Sequence, residues 1–213
     1  MAISDAFHIF YEKHRLWENN SWLGIPMWKL PMDVIKIQEV IYKVKPDFIV
    51  ETGTGKGGSA VFYASLLELM GFGMVITVDI NMSFDKSQIE NEKIRNRITQ
   101  FCGSSTSELV FKKVKNLAGG TITLVLLDSW HSYSHVLKEL ELYSQLISVG
   151  SFIIVEDTHV SKEGNPVKWE YNDFGPGGAV SEFLKSNENF VIDEECENQI
   201  MTFNPNGWIR RIK

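Results

Sequence analysis

The sequence predicts an α/β fold, a mostly parallel central sheet with helices on both faces and an antiparallel C-terminal strand. Two observations carry this reading. From residue 47 onward, short apolar and β-branched runs alternate with longer stretches whose apolar residues recur every three or four positions, as buried parallel strands and their covering helices do. The first run also leads directly into a glycine-rich turn and then a helical stretch, the local device by which open α/β sheets build a ligand crevice.

The elements follow in order. Residues 1–46 carry Trp17, Trp22, Trp28, Pro26 and Pro31 with a predicted helix over 33–44, and read as an N-terminal helical cap on one domain whose core is 47–213. Strands are predicted at Phe48-Ile49-Val50, Met74 to Val78, Ile98 to Phe101, Leu124 to Leu127 and Phe152 to Val155, each of strand length. Helical spacing predicts helices over 60–70, 105–118 and 132–147, the last with Val136, Leu137, Leu140, Tyr143, Leu146 and Ile147 at intervals of three and four. After residue 157 a Gly/Pro/Asn-rich stretch runs to Gly178, then a helix over 179–187, then strand-like segments at 190–193 and 200–204 read as an antiparallel hairpin.

Composition narrows the function. With 213 residues, 44% hydrophobic and 23% charged, the chain is an ordinary folded protein rather than a disordered or coiled-coil one. A net charge of −6 argues against nucleic-acid or anionic-membrane binding, because neither partner favours an acidic surface. Two cysteines, Cys102 and Cys196, are too few for a disulfide scaffold and suit a reducing cytoplasm. Asp5, His8, Glu12 and Lys13 interrupt the first residues, so neither a signal peptide nor a membrane span is expected.

Three groups of residues could carry chemistry. In Glu51-Thr52-Gly53-Thr54-Gly55-Lys56-Gly57-Gly58-Ser59, the glycines at 53, 55 and 58 satisfy G-x-G-x-x-G, and Asp79, ending the next strand, is placed for two ribose hydroxyls. Thr54, Gly55 and Ser59 belong to the same cradle, with Gly103, Ser104 and Asp128 expected around the rest of the nucleoside. Glu51 would repel a pyrophosphate and suits a ligand bearing an ammonium and a sulfonium, which points to S-adenosylmethionine over NAD. Lys56 lacks the following Ser or Thr of a P-loop. Second, Asp128, Glu156 and Asp157 end the fourth and fifth strands, and three carboxylates at one crevice call for a cation, with Mg²⁺ favoured by oxygen ligands. Third, His131, three residues after Asp128, is a candidate general base. His135 with His131 and a carboxylate would permit a two-histidine iron or zinc site, and His159 has no evident role. Trp169, Tyr171, Gly175 and Pro176 in the loop over 161–178 are expected to cover the acceptor as a lid, with Trp130 in the wall of the acceptor site.

These residues resemble the cephalosporin hydroxylase-like family of S-adenosylmethionine-dependent O-methyltransferases, related to the rhamnosyl and macrocin sugar O-methyltransferases. The shared segments include Trp22-Leu23-Gly24, Pro46 to Thr54, Val78-Asp79-Ile80, Gly103-Ser104-Ser105, Leu127-Asp128-Ser129, Val155 to Thr158, Gly175-Pro176 and Asn204-Pro205. The resemblance implies a Rossmann-like class I methyltransferase fold, Mg²⁺ on Asp128, Glu156 and Asp157, His131 as the base, and a sugar or glycosylated acceptor, with a catechol or other phenol the chemically equivalent alternative. Trp130 departs from the polar or acidic residue common there. Two other readings stay open on the sequence: an NAD-dependent oxidoreductase, for which no substrate domain is evident, and a metal-dependent hydroxylase using both histidines. The aromatic residues of the first 30 positions would suit a partner subunit, and a homo-oligomer is expected.

Overall fold

The computed structural model describes residues 3–161 and 174–213. Its chain order is α1 (Ile3–Lys13), β1 (Ser21–Trp22), β2 (Ile25–Pro26), α2 (Pro31–Val44), β3 (Phe48–Thr52), α3 (Gly58–Met70), β4 (Met74–Asp79), α4 (Glu92–Asn96), β5 (Ile98–Cys102), α5 (Glu108–Ala118), β6 (Thr123–Leu127), α6 (Tyr133–Tyr143), β7 (Phe152–Val155), α7 (Gly175–Ser186), β8 (Phe190–Ile192) and β9 (Trp208–Arg211). The seven-stranded sheet has the order β5-β4-β3-β6-β7-β9-β8. β5 through β7 run parallel, and β9 is antiparallel to both neighbours, pairing Ile153 with Ile209 and Ile209 with Ile192.

Alternation along the strands divides the core in two. Ile49, Leu124, Leu126 and Ile154 face one side with Ile37, Ile41, Phe62, Tyr63 and Trp208, while Val50, Val125, Leu127 and Ile153 face the other with Val114, Leu140, Tyr143, Phe183 and Ile209. Both faces are dry, which is why Leu124 to Leu127 of β6 and Phe152 to Val155 of β7 are apolar at successive positions rather than every second one. Truncating one such residue, Leu126→Ala for example, would cost about 2–5 kcal/mol. Helix α3 is buried nearly all round because the N-terminal segment lies across its outer face: Trp22 packs edge-on against Phe62 and its indole N–H donates to Ser65 Oγ.

The chain proceeds from β3 outward to β4 and β5, then returns to place β6 on the other side of β3. Strand order therefore reverses between β3 and β6, and the crevice beyond their C-terminal ends is where ligands of such sheets bind.

Two expectations are corrected here. Residues 200–204 are not a strand; Ile200 is left-handed (φ 69°), and the segment is an irregular loop whose Thr202, Phe203 and Asn204 are buried. The strand lies beyond Pro205 and Gly207, at Trp208–Arg211, where a Cβ on Gly207 would stand 2.3 Å from the Val155 carbonyl oxygen. Gly175-Pro176-Gly177-Gly178 is not the end of a loop but the opening of α7, with Pro176 in its first turn, where its missing N–H leaves no bond unmade. A Cβ on Gly178 would stand 2.3 Å from Phe174 Cβ and 3.3 Å from Tyr133 Cδ2, so its absence serves the first turn of α7 and its approach to α6. Helix α4 and the β1–β2 hairpin were not anticipated.

Candidate active site

The backbone ladder continues past the strand ends and sets the site residues side by side. The Gly53 N–H donates to Val78 O, Asp128 N–H to Thr52 O, and Glu156 N–H to Leu127 O, at 2.8, 3.0 and 3.0 Å. Asp157 then adopts a left-handed conformation (φ 58°), which Asp tolerates better than most residues, with its N–H on Asn204 Oδ1 at 2.9 Å.

The glycines of the turn serve different ends. A Cβ on Gly53 would lie 1.9 Å from the Asp128 carbonyl oxygen, and one on Gly58 would lie 2.3 Å from the Pro26 carbonyl oxygen. These two are required by the protein's own packing. Gly57, outside the G-x-G-x-x-G pattern, makes room for the Phe84 ring. Gly55, at φ 51°, has no atom within 4 Å of where its Cβ would be, so it alone of the three pattern glycines leaves open space for a ligand. Asp79 braces the turn, its Oδ2 accepting from Gly55 N–H at 3.0 Å and its Oδ1 from Asn81 N–H at 2.8 Å.

Glu51 is fully buried. Thr77 Oγ1 donates to its Oε2 at 2.7 Å, with Thr54 Oγ1 2.6 Å behind Thr77, while Oε1 has no hydrogen-bond partner. Burial pushes this carboxyl up to about 7, against the opposing charge of Lys29 and hydrogen bonds from Ser59 and Thr77. On the far side of β4, Gly103 N–H donates to Asp79 O at 2.8 Å and Ser104 Oγ lies 2.8 Å from Thr106 Oγ1, so this turn borders the same crevice.

The acidic residues divide into two arrangements. Asp128, His131 and Asp157 converge, each offering one ligand atom within 4.8 Å of the others; His131 Nε2 is 3.4 Å from Asp157 Oδ2 and 3.8 Å from Asp128 Oδ1. Glu156 is not brought into this cluster. Its Oε1 accepts from Lys29 Nζ at 2.8 Å and its Oε2 from Asn204 Nδ2 at 2.9 Å. Lys29 Nζ also donates to Asp128 Oδ2 at 3.0 Å. Burial raises the Asp128 carboxyl, opposed by Lys29, and the nearby Asp157 charge raises it further. The carboxylates of Asp128 and Asp157, converging beside the His131 ring, offer oxygen donors that fit a divalent cation.

His135 stands apart from this cluster. Its Nε2 is 3.1 Å from both Ser105 Oγ and Ser129 Oγ, and Ser129 Oγ donates to the buried Glu139 at 2.7 Å. His159 is buried, not a bare loop residue: its ring nitrogens face Phe203 O at 2.9 Å and Glu12 Oε1 at 3.1 Å, tying α1 to the turn after Asp157. Of the expected acceptor residues, Trp130 is half exposed, Gly175 and Pro176 are buried at the start of α7, and Trp169 and Tyr171 lie outside the described residues. Sequence reasoning missed Lys29 and Asn204. Lys29 left a trace, a lone charge in the apolar run Trp28-Lys29-Leu30-Pro31, since a charge in such a run is buried only with a partner.

Residues 14–212 match the family described as Rhamnosyl O-methyltransferase/CmcI. The rhamnosyl O-methyltransferase of Mycobacterium tuberculosis is 31% identical over 219 residues, covering 99% of this chain and 85% of that one, and that of Mycobacterium leprae is 28% identical, covering 99% and 91%. Among solved structures, CmcI without ligand aligns with a TM-score of 0.69 at 21% identity (92% of this chain, 77% of that one), and CmcI with Mg and SAM with 0.68 at 19% (92% and 78%). MycE, a methyltransferase of mycinamycin biosynthesis solved with Mg, SAH and mycinamycin VI, aligns with 0.54 at 17% identity, over 85% of this chain and 44% of that one. These structures share the Rossmann-like methyltransferase fold described above. The match over nearly the whole length places this chain in the rhamnosyl O-methyltransferase/CmcI family.

Proposed function

We propose that this chain moves the methyl group of S-adenosylmethionine to a hydroxyl of a sugar or a glycosylated small molecule, with Mg²⁺ at the acidic crevice. The observation that carries the reading is the convergence of Asp128, His131 and Asp157 at the point where strand order reverses, one strand from the open Gly55 turn. The names of the relatives support the acceptor class.

The turn from Gly53 to Ser59, with Glu51 beneath it, would hold the methionine end of the donor. Asp79 would hold the ribose, and Gly103 and Ser104 would border the adenine. Asp128 and Asp157 would hold the cation; Glu156 would join them only by leaving Lys29. A divalent ion there supplies Lewis acidity that makes a neighbouring hydroxyl a stronger acid. His131 Nε2 takes the hydroxyl proton, and Asp128 and Asp157 flank the ring that becomes positive. The acceptor oxygen forms its bond to the methyl carbon as the sulfur–carbon bond breaks, leaving S-adenosylhomocysteine, and the protein's main contribution is aligning the two reactants. The half-exposed Trp130 would form one wall of the acceptor site, and Gly175 and Pro176 would back another.

The same reading has the enzyme acting in the cytoplasm on a small molecule rather than a nucleic acid or a membrane. No described helix is long and apolar enough to cross a membrane. Exposed Trp28, Met32, Ile35 and Tyr42 would give a homo-oligomer its contact. Incubation with S-adenosylmethionine, Mg²⁺ and rhamnose-bearing acceptors, followed by mass spectrometry, is expected to show one added methyl and S-adenosylhomocysteine, with EDTA abolishing both. Turnover unaffected by EDTA refutes the role of the cation, and methylation of nitrogen in place of oxygen refutes the reaction.

A further inference from the structure

Lys29 is a charge held in the interior. Its side chain is 2% exposed, and its ammonium spans the ends of β6 and β7, at 3.0 Å from Asp128 Oδ2 and 2.8 Å from Glu156 Oε1. Glu51 and the Tyr63 hydroxyl, which has no hydrogen-bond partner, are the other groups that act on it electrostatically. Its place is set by the backbone. Asn20 Nδ2 donates to Lys29 O at 2.8 Å, Met27 N–H donates to Asn20 O at 2.9 Å, and Pro31 opens α2 immediately beyond. The segment reaches this depth because Gly58 carries no side chain, a Cβ there falling 2.3 Å from Pro26 O and 2.7 Å from Met27 Cβ. The third glycine of the motif thus admits the strand of chain that delivers the lysine.

We propose that Lys29 is the resident counter-ion of the cation site and sets how tightly a divalent ion is held there; this rests on the reading of Asp128 and Asp157 as its ligands. Two consequences follow from the geometry. Without a divalent ion, the ammonium offsets two carboxylates that would otherwise be buried close together with no opposite charge, so the site stays assembled when empty. With the ion present, the same ammonium repels it through Asp128, which the two share, and competes with it for Glu156. Lys29 is therefore a positioning residue that holds the affinity down, leaving the ion exchangeable.

The test uses the full chain and Mn²⁺ as the probe, followed by electron paramagnetic resonance, with thermal melts in EDTA and in excess Mn²⁺. Lys29→Met removes the charge and Lys29→Gln keeps a polar contact in case the first variant folds poorly. The expected result is Mn²⁺ bound about tenfold more tightly or better in either variant, with a lower melting temperature in EDTA that Mn²⁺ restores. Mn²⁺ affinity equal to or weaker than that of the unmodified protein, with the melting temperature lowered equally in both buffers, overturns the proposal and leaves the metal reading standing. Absence of Mn²⁺ binding by unmodified protein and variants alike sinks the metal reading and this proposal with it.

Discussion

Replacing the glycines of the turn one at a time separates packing from binding. For Gly53→Ala the new Cβ would sit 1.9 Å from Asp128 O, 2.6 Å from Asp128 C and 2.9 Å from Ser129 Cα, at φ 86°. All three atoms are backbone, so no rotamer change relieves the clash, and the end of β6 must move. The left-handed conformation costs about 1–2 kcal/mol for a non-glycine residue, and overpacking about 1–3 kcal/mol more, for a total of roughly 2–5 kcal/mol. Asp128 moves with its backbone, so Mn²⁺ binding should fall as well. Gly55→Ala, at φ 51° with nothing within 4 Å, bears only the conformational cost of about 1–2 kcal/mol. It should fold, keep the acidic cluster, and lose about tenfold or more in S-adenosylmethionine affinity because its methyl stands in the open cradle. Urea unfolding and calorimetric titration of both variants measure the two effects. Undiminished cofactor binding by Gly55→Ala would refute the cradle, and a Gly53→Ala protein as stable as Gly55→Ala would refute the packing account.

Two further outcomes are expected. Asp33 is buried at the start of α2, where it accepts a hydrogen bond from Phe203 N–H. Burial and then the Glu156 charge push it up to about 7, against hydrogen bonds from Thr202 and Phe203 and the charge of Lys29. The folded state therefore keeps a proton that the unfolded chain loses near pH 4, so stability is full at low pH and falls as pH rises from about 4 to about 7, by at most about 4 kcal/mol. Asp33→Asn keeps an acceptor for Phe203 but cannot ionise; urea melts at about pH 5 and about pH 8 should differ less than for the unmodified protein, and an unchanged slope would rule out Asp33 as its source. His131→Ala should lower kcat by about 10²- to 10⁴-fold while sparing cofactor and Mn²⁺ affinity, whereas His135→Ala should alter turnover far less. Loss of the ion in the His131 variant would recast that residue as a ligand and remove it as the base.

The parallel strands were legible because both of their faces are buried, which writes Leu124 to Leu127 and Phe152 to Val155 as unbroken apolar runs. The Gly53 turn and the convergence of Asp128, His131 and Asp157 were legible as candidates because residues at strand ends are local in sequence, whereas Glu156 turns to Lys29 and Asn204 instead. What was hidden depends on partners far along the chain. Residues 200–204 look like a strand, yet their polar groups are satisfied by Asp33, His159 and Glu156, and those contacts hold them as a loop. The true strand, Trp208–Arg211, carries two arginines that mask its alternation. Lys29 and Asn204 meet Glu156 across 127 and 48 residues, separations no motif spans. The helix opening at Gly175 was disguised by glycines that disfavour helix in isolation and are tolerated here through packing on α6.

The position of β9 ties the site to the order in which the chain is made. β9 is inserted between β7 and β8 rather than added at the rim, and the loop just ahead of it supplies Asn204 to Glu156 and Asp157. While a ribosome still holds residues 204–211, β7 presents an unpaired apolar edge, the kind of surface on which nascent chains pair wrongly. The acidic crevice likewise lacks the amide that fixes two of its carboxyl-bearing residues. Pairing of β9 and ordering of the crevice are thus coupled, so a chain whose β9 is unpaired also lacks the Asn204 contacts to Glu156 and Asp157.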